Sequence, residues 1–302
     1  MEAKKINDIL LMFKFVISLI YLFFCCFSFG CSNNYGKSIS DVESSIKLLG
    51  VSVRRLSSMD EVPVDSYIAG KTVRSGTHSV EGILRGLSDA RYLNTLQVIY
   101  SSMGLYPKGI LQSDLDVVNV GGQIQTEREQ FTSGFFQPNS QDIYLFPLVA
   151  DALSIDRDSD VRHTFHHEFS SILMRKYQFD MIGFMAHNGT DFEYWFDQAK
   201  ILYSSHDGYY ADGKLLRQGL LTYYSQTSPE NDFNTYAEIA FSEPKMMSGY
   251  CSSYKRIEHK YEHVKAFYLK ISADFQPVFD RVSCGFTTEF TEALRYAEGL
   301  SG

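Results

Sequence analysis

The sequence lacks an excess of positive charge. Its 302 residues hold 28 Lys and Arg against 36 Asp and Glu, a formal net charge of −8. Nucleic-acid-binding surfaces need clustered positive charge, so we predict that the chain does not bind nucleic acid. The sequence also has no internal repeat, no Gly-rich phosphate loop and no Gly-x-Ser-x-Gly elbow. These absences remove the sequence support for a repeat protein, a phosphate-loop enzyme and an α/β-hydrolase.

Cysteine is scarce as well, with five in the chain. Cys25 and Cys26 lie in an apolar leader, and Cys31 lies at its end. Only Cys251 and Cys284 remain in the body, too few for a disulfide framework and without the Cys-x-x-Cys spacing of a thiolate zinc site. They can pair as one disulfide in an oxidising compartment or stay free thiols, and both alternatives are open at this point.

Aromatic residues, in contrast, are abundant. They make up 15% of the chain, with 23 Phe, 20 Tyr and 1 Trp. Hydrophobic residues make up 44% and charged residues 21%, an ordinary globular composition with ample material for a core. The leader holds part of the aromatic surplus, but most of it lies in the body. The length allows one large domain or two small ones.

The N-terminus has the pattern of a secretory signal. Lysines precede an uncharged apolar run over residues 15–30, and small residues follow it. That run is shorter than the ~20 residues that a membrane-spanning helix needs. The ending Ser28-Phe29-Gly30-Cys31 resembles a bacterial lipobox, although Phe29 stands where the residue is usually small.

The lipobox resemblance implies that Cys31 is lipidated and becomes the first residue of the mature chain. Acyl chains hold a protein to a membrane by burying CH₂ groups, each worth ~0.8 kcal/mol. We therefore expect a membrane anchor at Cys31 and a body that works outside the cytoplasm. An ordinary cleaved signal and an uncleaved anchor are the alternatives.

The pattern along the chain predicts three segments: a lipoprotein signal peptide over 1–30, a polar tether over 31–60 and a folded domain over 61–302. Residues 116–149 look extended. Apolar positions at helical spacing predict helices, with Ser159 or Asp160 capping the second and Ser228 capping the fourth. The predicted helical ranges are 81–103, 159–177, 190–204, 229–244 and 256–275. The fold class is therefore α+β, mostly helical, with a small sheet before a His-rich helix.

The His-rich helix carries the strongest chemical signal. Val161, Phe165 and Phe169 form an apolar stripe, and His163 and His167 lie on the opposite side. Zinc hydrolases use such a helix, with His-Glu-x-x-His placing two imidazoles on the metal and the Glu beside the metal-activated water.

That motif is broken in this chain. His167 supplies the first histidine and Glu168 supplies the base, but Ser171 stands where the second histidine belongs. Serine is a poor zinc ligand. We expect one of three outcomes: His163 replaces the missing ligand from one turn earlier, metal binds weakly through His167 and an acidic residue, or zinc binding is lost.

Two segments resemble a known family. His166-His167-Glu168 and the later segment from Asp232 to Glu238 (DFNTYAE) are similar to those of gluzincin-like zinc-binding metallopeptidases, which occur as lipoproteins beside outer-membrane nutrient importers. The likeness runs from about residue 80 to the C-terminus. It implies a zincin-like catalytic domain with zinc as cofactor.

The resemblance also implies residue roles. His167 is a metal ligand, Glu168 is the general base, and Asp232 or Glu238 is the acidic ligand, with Glu238 favoured because it matches the Ala-Glu of the family pattern. Tyr236 is a candidate donor to a developing oxyanion, although a buried core tyrosine is the simpler interpretation of that residue.

The resemblance, together with the broken motif, implies two alternative functions. In the first, the chain is an outer-membrane lipoprotein, surface or periplasmic, that hydrolyses peptide bonds with zinc-bound water and Glu168 as base, in association with a nutrient importer. In the second, zinc binding is lost at Ser171, and the same scaffold captures a glycan or peptide polymer for import. Exposed tyrosines and Trp195 could then stack on sugars.

A rival zinc motif lies in the last predicted helix. His259-Lys260-Tyr261-Glu262-His263 has the inverted pattern H-x-x-E-H. Ile257, Tyr261 and Val264 recur at helical spacing beside it, so we interpret the charged residues between them as a solvated face.

Overall fold

Helices dominate the part of the chain that the structure describes, and a small sheet accompanies them, so the α+β prediction is confirmed. This computed structural model describes residues 37–57, 67–68, 71–72, 86–123, 133–137, 140–148, 150, 156–195 and 210–285. The predicted signal peptide and Cys31 lie outside the described residues. Among the residues described, no helix has both the length and the apolar character that crossing a membrane requires.

The helices are short to medium in length, and two of them carry the site described below. Their bounds are α1 Ile39–Leu48, α2 Asp89–Met103, α3 Lys108–Asp114, α4 Arg157–Lys176, α5 Met181–Met185, α6 Gly213–Gln218, α7 Pro229–Ser242, α8 Pro244–Ser253, α9 Lys255–Ile271 and α10 Gln276–Phe279. Short 3₁₀ turns cover Tyr224–Thr227 and Ala273–Phe275.

The main sheet consists of four strands, β1 Ser52–Arg55, β4 Val117–Val120, β5 Gly134–Phe136 and β6 Asp142–Leu145. A separate hairpin joins β2 Tyr67–Ile68 to β3 Lys71–Thr72. In the main sheet the strands lie in the order β1-β4-β6-β5. β1, β4 and β6 are parallel, whereas β5 runs antiparallel to β6. β5 is therefore an edge strand, and α4 packs against it.

Part of the predicted tether belongs to the fold. Val42 and Ile46 of α1 are buried, and β1 pairs with β4 in the sheet. The folded unit begins at Ile39. Within the range 31–60, the tether prediction is therefore corrected over residues 39–57, because two apolar side chains one turn apart fix this polar-looking segment to the core.

α4 follows the prediction except at its start. Asp156, not Ser159 or Asp160, is the N-cap, and its side chain accepts a hydrogen bond from the Asp158 backbone N–H. Acidic residues in the first turn and Arg175 and Lys176 in the last complement the helix dipole.

α7 begins as predicted. Ser228 caps it by accepting a hydrogen bond from the Asn231 backbone N–H, and Pro229 occupies the first turn. Of the helix predicted over residues 190–204, the described residues 191–195 are not helical, and residues 196–204 lie outside the described part.

Much of the aromatic surplus lies in the core around Tyr106. Its ring stacks on Phe241 at 4.8 Å between centroids and meets the ring of Phe169 edge-on at the same separation. Phe165 and Phe275 complete the cluster. Such contacts fix α4 and α7 to one core, since aromatic pairs add about 0.5–1.5 kcal/mol each beyond their buried area.

A buried ion pair joins α7 to α9. Lys260 and Asp232 are both fully buried, and the Lys260 ammonium bonds to the Asp232 carboxylate. The ammonium also donates to the Gly219 carbonyl oxygen at 2.9 Å and to Asn188 Oδ1 at 2.8 Å. The Tyr194 hydroxyl donates a further hydrogen bond to Asp232 at 2.6 Å. These polar contacts connect α7 and α9 to each other and to the loops that contain Asn188, Tyr194 and Gly219.

Cys251 and Cys284 form a disulfide, with their Cα atoms 5.2 Å apart. The bond links α8 to the chain after α10. Since the two cysteines are 33 residues apart in sequence, the closed loop should contribute about 3–4 kcal/mol to stability.

The buried ion pair gives a stability prediction. Lys260→Met leaves the Asp232 carboxylate buried without its cation, so we expect the free energy of unfolding in urea to fall by about 3–5 kcal/mol. Lys265→Met is the matched control on the same helix: Lys265 lies 3.6 Å from the exposed Glu262, and its loss should cost less than about 0.5 kcal/mol. Equal losses in the two variants would contradict the assignment.

Candidate metal centre

Two helices bring three predicted site residues together. His163 and His167 lie one turn apart on α4, which packs against α7, and both imidazoles face Glu238 of α7. His163 Nδ1 is 3.2 Å from Glu238 Oε1, and His167 Nδ1 is 3.1 Å from Glu238 Oε2. One carboxylate therefore engages two imidazoles, one through each oxygen.

A second carboxylate extends this cluster. Glu243 Oε1 lies 2.8 Å from His163 Nε2 and also accepts a hydrogen bond from the Tyr210 hydroxyl. Neither residue is predicted as a site residue from the sequence. Glu243 has one sequence signal, its position as an acid five residues after Glu238, just beyond the end of α7. Tyr210 has none, because it is too distant along the chain for a spacing pattern to link it to Glu243.

The charges in the cluster stabilise one another. Burial alone would raise the pKa of Glu238, but hydrogen bonds and charge from the two histidines lower it to about 2. Burial disfavours charged imidazoles, yet the carboxylates raise the pKa of His163 to about 9 and that of His167 to about 8. Near neutral pH the cluster therefore pairs imidazolium with carboxylate.

Ser171 has a structural role. It is 1% exposed, and its hydroxyl accepts a hydrogen bond from Asn234 Nδ2 at 2.7 Å. The amide oxygen of Asn234 accepts a hydrogen bond of the same length from Ser170. Asn234 thus bridges α4 and α7 one turn from Glu238, and the position of the missing histidine is occupied by a helix–helix contact.

Glu168 lies beside the edge strand. Its buried carboxylate accepts a hydrogen bond from the Phe136 backbone N–H of β5. Gly134 of the same strand permits this close approach, because an added Cβ would stand 2.5 Å from the Thr164 methyl carbon of α4. Burial raises the pKa of Glu168 to about 7, and the charge of His167 opposes that rise.

Two other candidate residues lie elsewhere. The carboxylate of Asp232 pairs with Lys260 and not with the histidines, so Glu238 is the acid that the fold places opposite them. The Tyr236 hydroxyl, fully buried, donates to the Gly219 carbonyl oxygen at 2.8 Å, which agrees with the simpler interpretation of Tyr236 as a core residue and not with the oxyanion donor.

The two adjacent histidines, His166 and His167, have different surroundings. His166 is fully buried, with Nδ1 2.9 Å from the Tyr106 hydroxyl oxygen, and burial lowers its pKa well below the ordinary value. It is therefore a neutral member of the aromatic core, whereas His167 faces the carboxylates.

The donor set has the chemistry of a zinc site, although the side chains are not in coordinating positions. Across the described residues, no group of three His, Cys, Asp or Glu side chains is arranged to hold a metal ion. Two imidazoles and one carboxylate nevertheless match a catalytic zinc set, and adjacent ligands at 2.0–2.1 Å from zinc stand about 3.3 Å apart. The His–Glu distances of 3.1 and 3.2 Å are close to that spacing.

The comparisons with known proteins show a similar fold in a solved structure. No family model matches the chain, and no curated protein matches it. Among solved structures, the chain is similar to a putative zinc-binding metallo-peptidase from Bacteroides caccae, with a TM-score of 0.51 and 14% identity over 85% of this chain and 95% of that one. At this identity the similarity shows the fold alone.

The cluster gives a pH-dependence prediction. Both imidazoles bind protons more tightly in the folded chain, so their stabilisation is complete below pH 6.5 and is lost as the pH rises through about 8 and 9. In the presence of a chelator, the free energy of unfolding of both wild type and Glu238→Gln should fall between about pH 6.5 and 9.5. We expect the fall in wild type to exceed the fall in Glu238→Gln by on the order of 2–3 kcal/mol.

Glu193→Gln, which removes an exposed carboxylate, is the control and should follow the wild-type profile. If Glu238→Gln shows the wild-type pH dependence, the cluster does not carry the charges assigned to it.

Proposed function

We propose that the chain is a zinc-dependent hydrolase of the metallopeptidase type, with His163, His167 and Glu238 as the metal ligands. The supporting observation is the convergence of two imidazoles from adjacent turns of α4 on one buried carboxylate of α7. This corresponds to the first of the three outcomes expected for the broken motif, in which His163 takes the place of the histidine absent at Ser171.

Each residue then has a defined task. Zinc, when bound, supplies a Lewis acid that polarises a carbonyl group and makes water more acidic. Glu168 accepts the proton of the attacking water, a task for which a pKa near neutral suits it. Glu243 orients the His163 ring from its other nitrogen, as carboxylates commonly do for metal-binding histidines.

Peptides are the proposed substrate class. The support is the similar fold of a protein described as a metallo-peptidase, together with a base and a metal ligand set of the type that amide hydrolysis uses.

A specific observation favours a second function, a binding protein without zinc. Ser171 is committed to Asn234, and both nitrogens of His163 and Nδ1 of His167 already engage carboxylates. Trp195 is 57% exposed and presents an aromatic surface to a polymer such as a glycan or peptide.

We also propose that the protein is an outer-membrane lipoprotein anchored through Cys31 that works with a nutrient importer. The Cys251–Cys284 disulfide supports a location outside the cytoplasm, where disulfides persist. Mass spectrometry of the membrane fraction should find acyl chains on an N-terminal Cys31. A mature chain with an unmodified N-terminus at another residue would contradict the anchor.

Zinc binding tests the proposed ligands. We expect wild type to bind one equivalent more zinc than His163→Ala, His167→Ala or Glu238→Gln, because each substitution removes one of three ligands. Arg162→Gln, at a half-buried position on α4 that contributes no proposed ligand, is the matched control and should bind as wild type does. The quantity measured is zinc retained after incubation and dialysis. Equal zinc in wild type and all three ligand variants would favour the binding protein.

Peptide hydrolysis tests the role of Glu168. Glu168→Gln should keep the zinc equivalent and lose at least about 100-fold in kcat, the usual size of a general-base contribution. Unchanged turnover in that variant would remove Glu168 from the mechanism.

A further inference from the structure

Three histidines that are not part of the candidate metal centre lie close together at α9. His259 and His263 lie one turn apart on α9, and His187 follows α5. The His187 ring centroid is 5.2 Å from that of His259 and 6.1 Å from that of His263. We call these three residues the histidine triad.

The triad changes the interpretation of the inverted motif. Ile257, Tyr261 and Val264 are buried as the sequence predicts, so His259 and His263 lie on the outer side of α9. Glu262, the acid of the motif, is exposed beside Lys265 and does not join the triad. What sequence spacing could not show is that a third histidine, 72 residues before His259 in the chain, packs against the pair.

His263 is held in place by its surroundings. The Phe179 ring meets it edge-on at 5.3 Å between centroids. A Cβ added at Gly183 would stand 2.8 Å from His263 Cε1, so glycine at this position admits the imidazole. Asp180 Oδ2 lies 3.8 Å from His263 Nε2, too long for a hydrogen bond but close to the spacing of about 3.3 Å between two ligands of one zinc ion.

We propose that His187, His259 and His263 bind a divalent transition-metal ion, with Asp180 as the fourth ligand. Imidazole-rich sites suit Zn²⁺, Ni²⁺ and Cu²⁺. Two imidazoles on one such ion place their ring centroids about 5 Å apart, which the His187–His259 pair already meets. As they stand, the triad and Asp180 are not arranged to hold a metal ion. The His187–His263 pair must close by about 1 Å, a rotamer-scale movement for side chains near the surface.

The charges around the triad are compatible with this proposal. Lys260 is paired with Asp232 below the triad, and Arg256 is directed to the Asn188 carbonyl oxygen at 3.2 Å. Asp180 is the acid that faces His263.

Calorimetric titration of the chelator-treated full chain with Ni²⁺ and with Zn²⁺ tests the proposal. We expect His187→Ala, His259→Ala and His263→Ala each to weaken the same binding event at least tenfold. Glu262→Gln, on the same turn of α9, is the matched control and should bind as wild type does. His163→Ala should retain this event, which separates the triad from the candidate metal centre.

A second readout does not depend on affinity. Ni²⁺ should broaden the imidazole proton resonances of the three triad histidines first, and Gly183→Ala should reduce that effect by displacing His263. Binding that is unchanged in all three alanine variants, or broadening confined to other histidines, would overturn the proposal.

Discussion

The buried carboxylate of Glu238 between two imidazoles is the constraint on which the site depends. Glu238 is 1% exposed, and an unpaired charge at such a position would cost several kcal/mol. His163 and His167 supply its partners only if α4 and α7 pack in one register. The same contact therefore positions the helices and assembles the candidate ligand set.

Further polar contacts on α7 reinforce that register. Asn234 reaches Ser170 and Ser171 of α4, while Asp232 reaches Lys260 of α9. These contacts occur at the helix–helix interfaces, and the aromatic cluster around Tyr106 fills the adjoining core. α7 is thus fixed to α4 and to α9 by hydrogen bonds that tolerate little sliding, which suits a site built from side chains of two helices.

Local chemistry explains what the sequence could predict. The cap at Ser228 and the helical spacing of α4 and α9 follow from patterns within a few residues, whereas the preference for Glu238 over Asp232 comes from the family resemblance. The α+β class follows from the same patterns. Ser171 could be identified as the break in the motif for the same reason.

Long-range packing explains what the sequence could not predict. Glu243 and Tyr210 join the cluster through a contact across 33 residues, and His187 meets α9 across 72. Tyr236 was an open choice because its role depends on the carbonyl oxygen of Gly219, which no spacing rule brings close. Residues 39–55 have the polar composition of a tether, but the buried side chains of Val42 and Ile46 are enough to hold α1 against the hydrophobic core.

Anomalous diffraction at the zinc edge, from crystals grown with zinc, is the sharpest test of whether His163, His167 and Glu238 bind one zinc ion. We expect a peak about 2.0–2.2 Å from an imidazole nitrogen of each histidine and from a carboxylate oxygen of Glu238. Crystals that show zinc at other positions, but none between these three side chains, would rule out this ligand set.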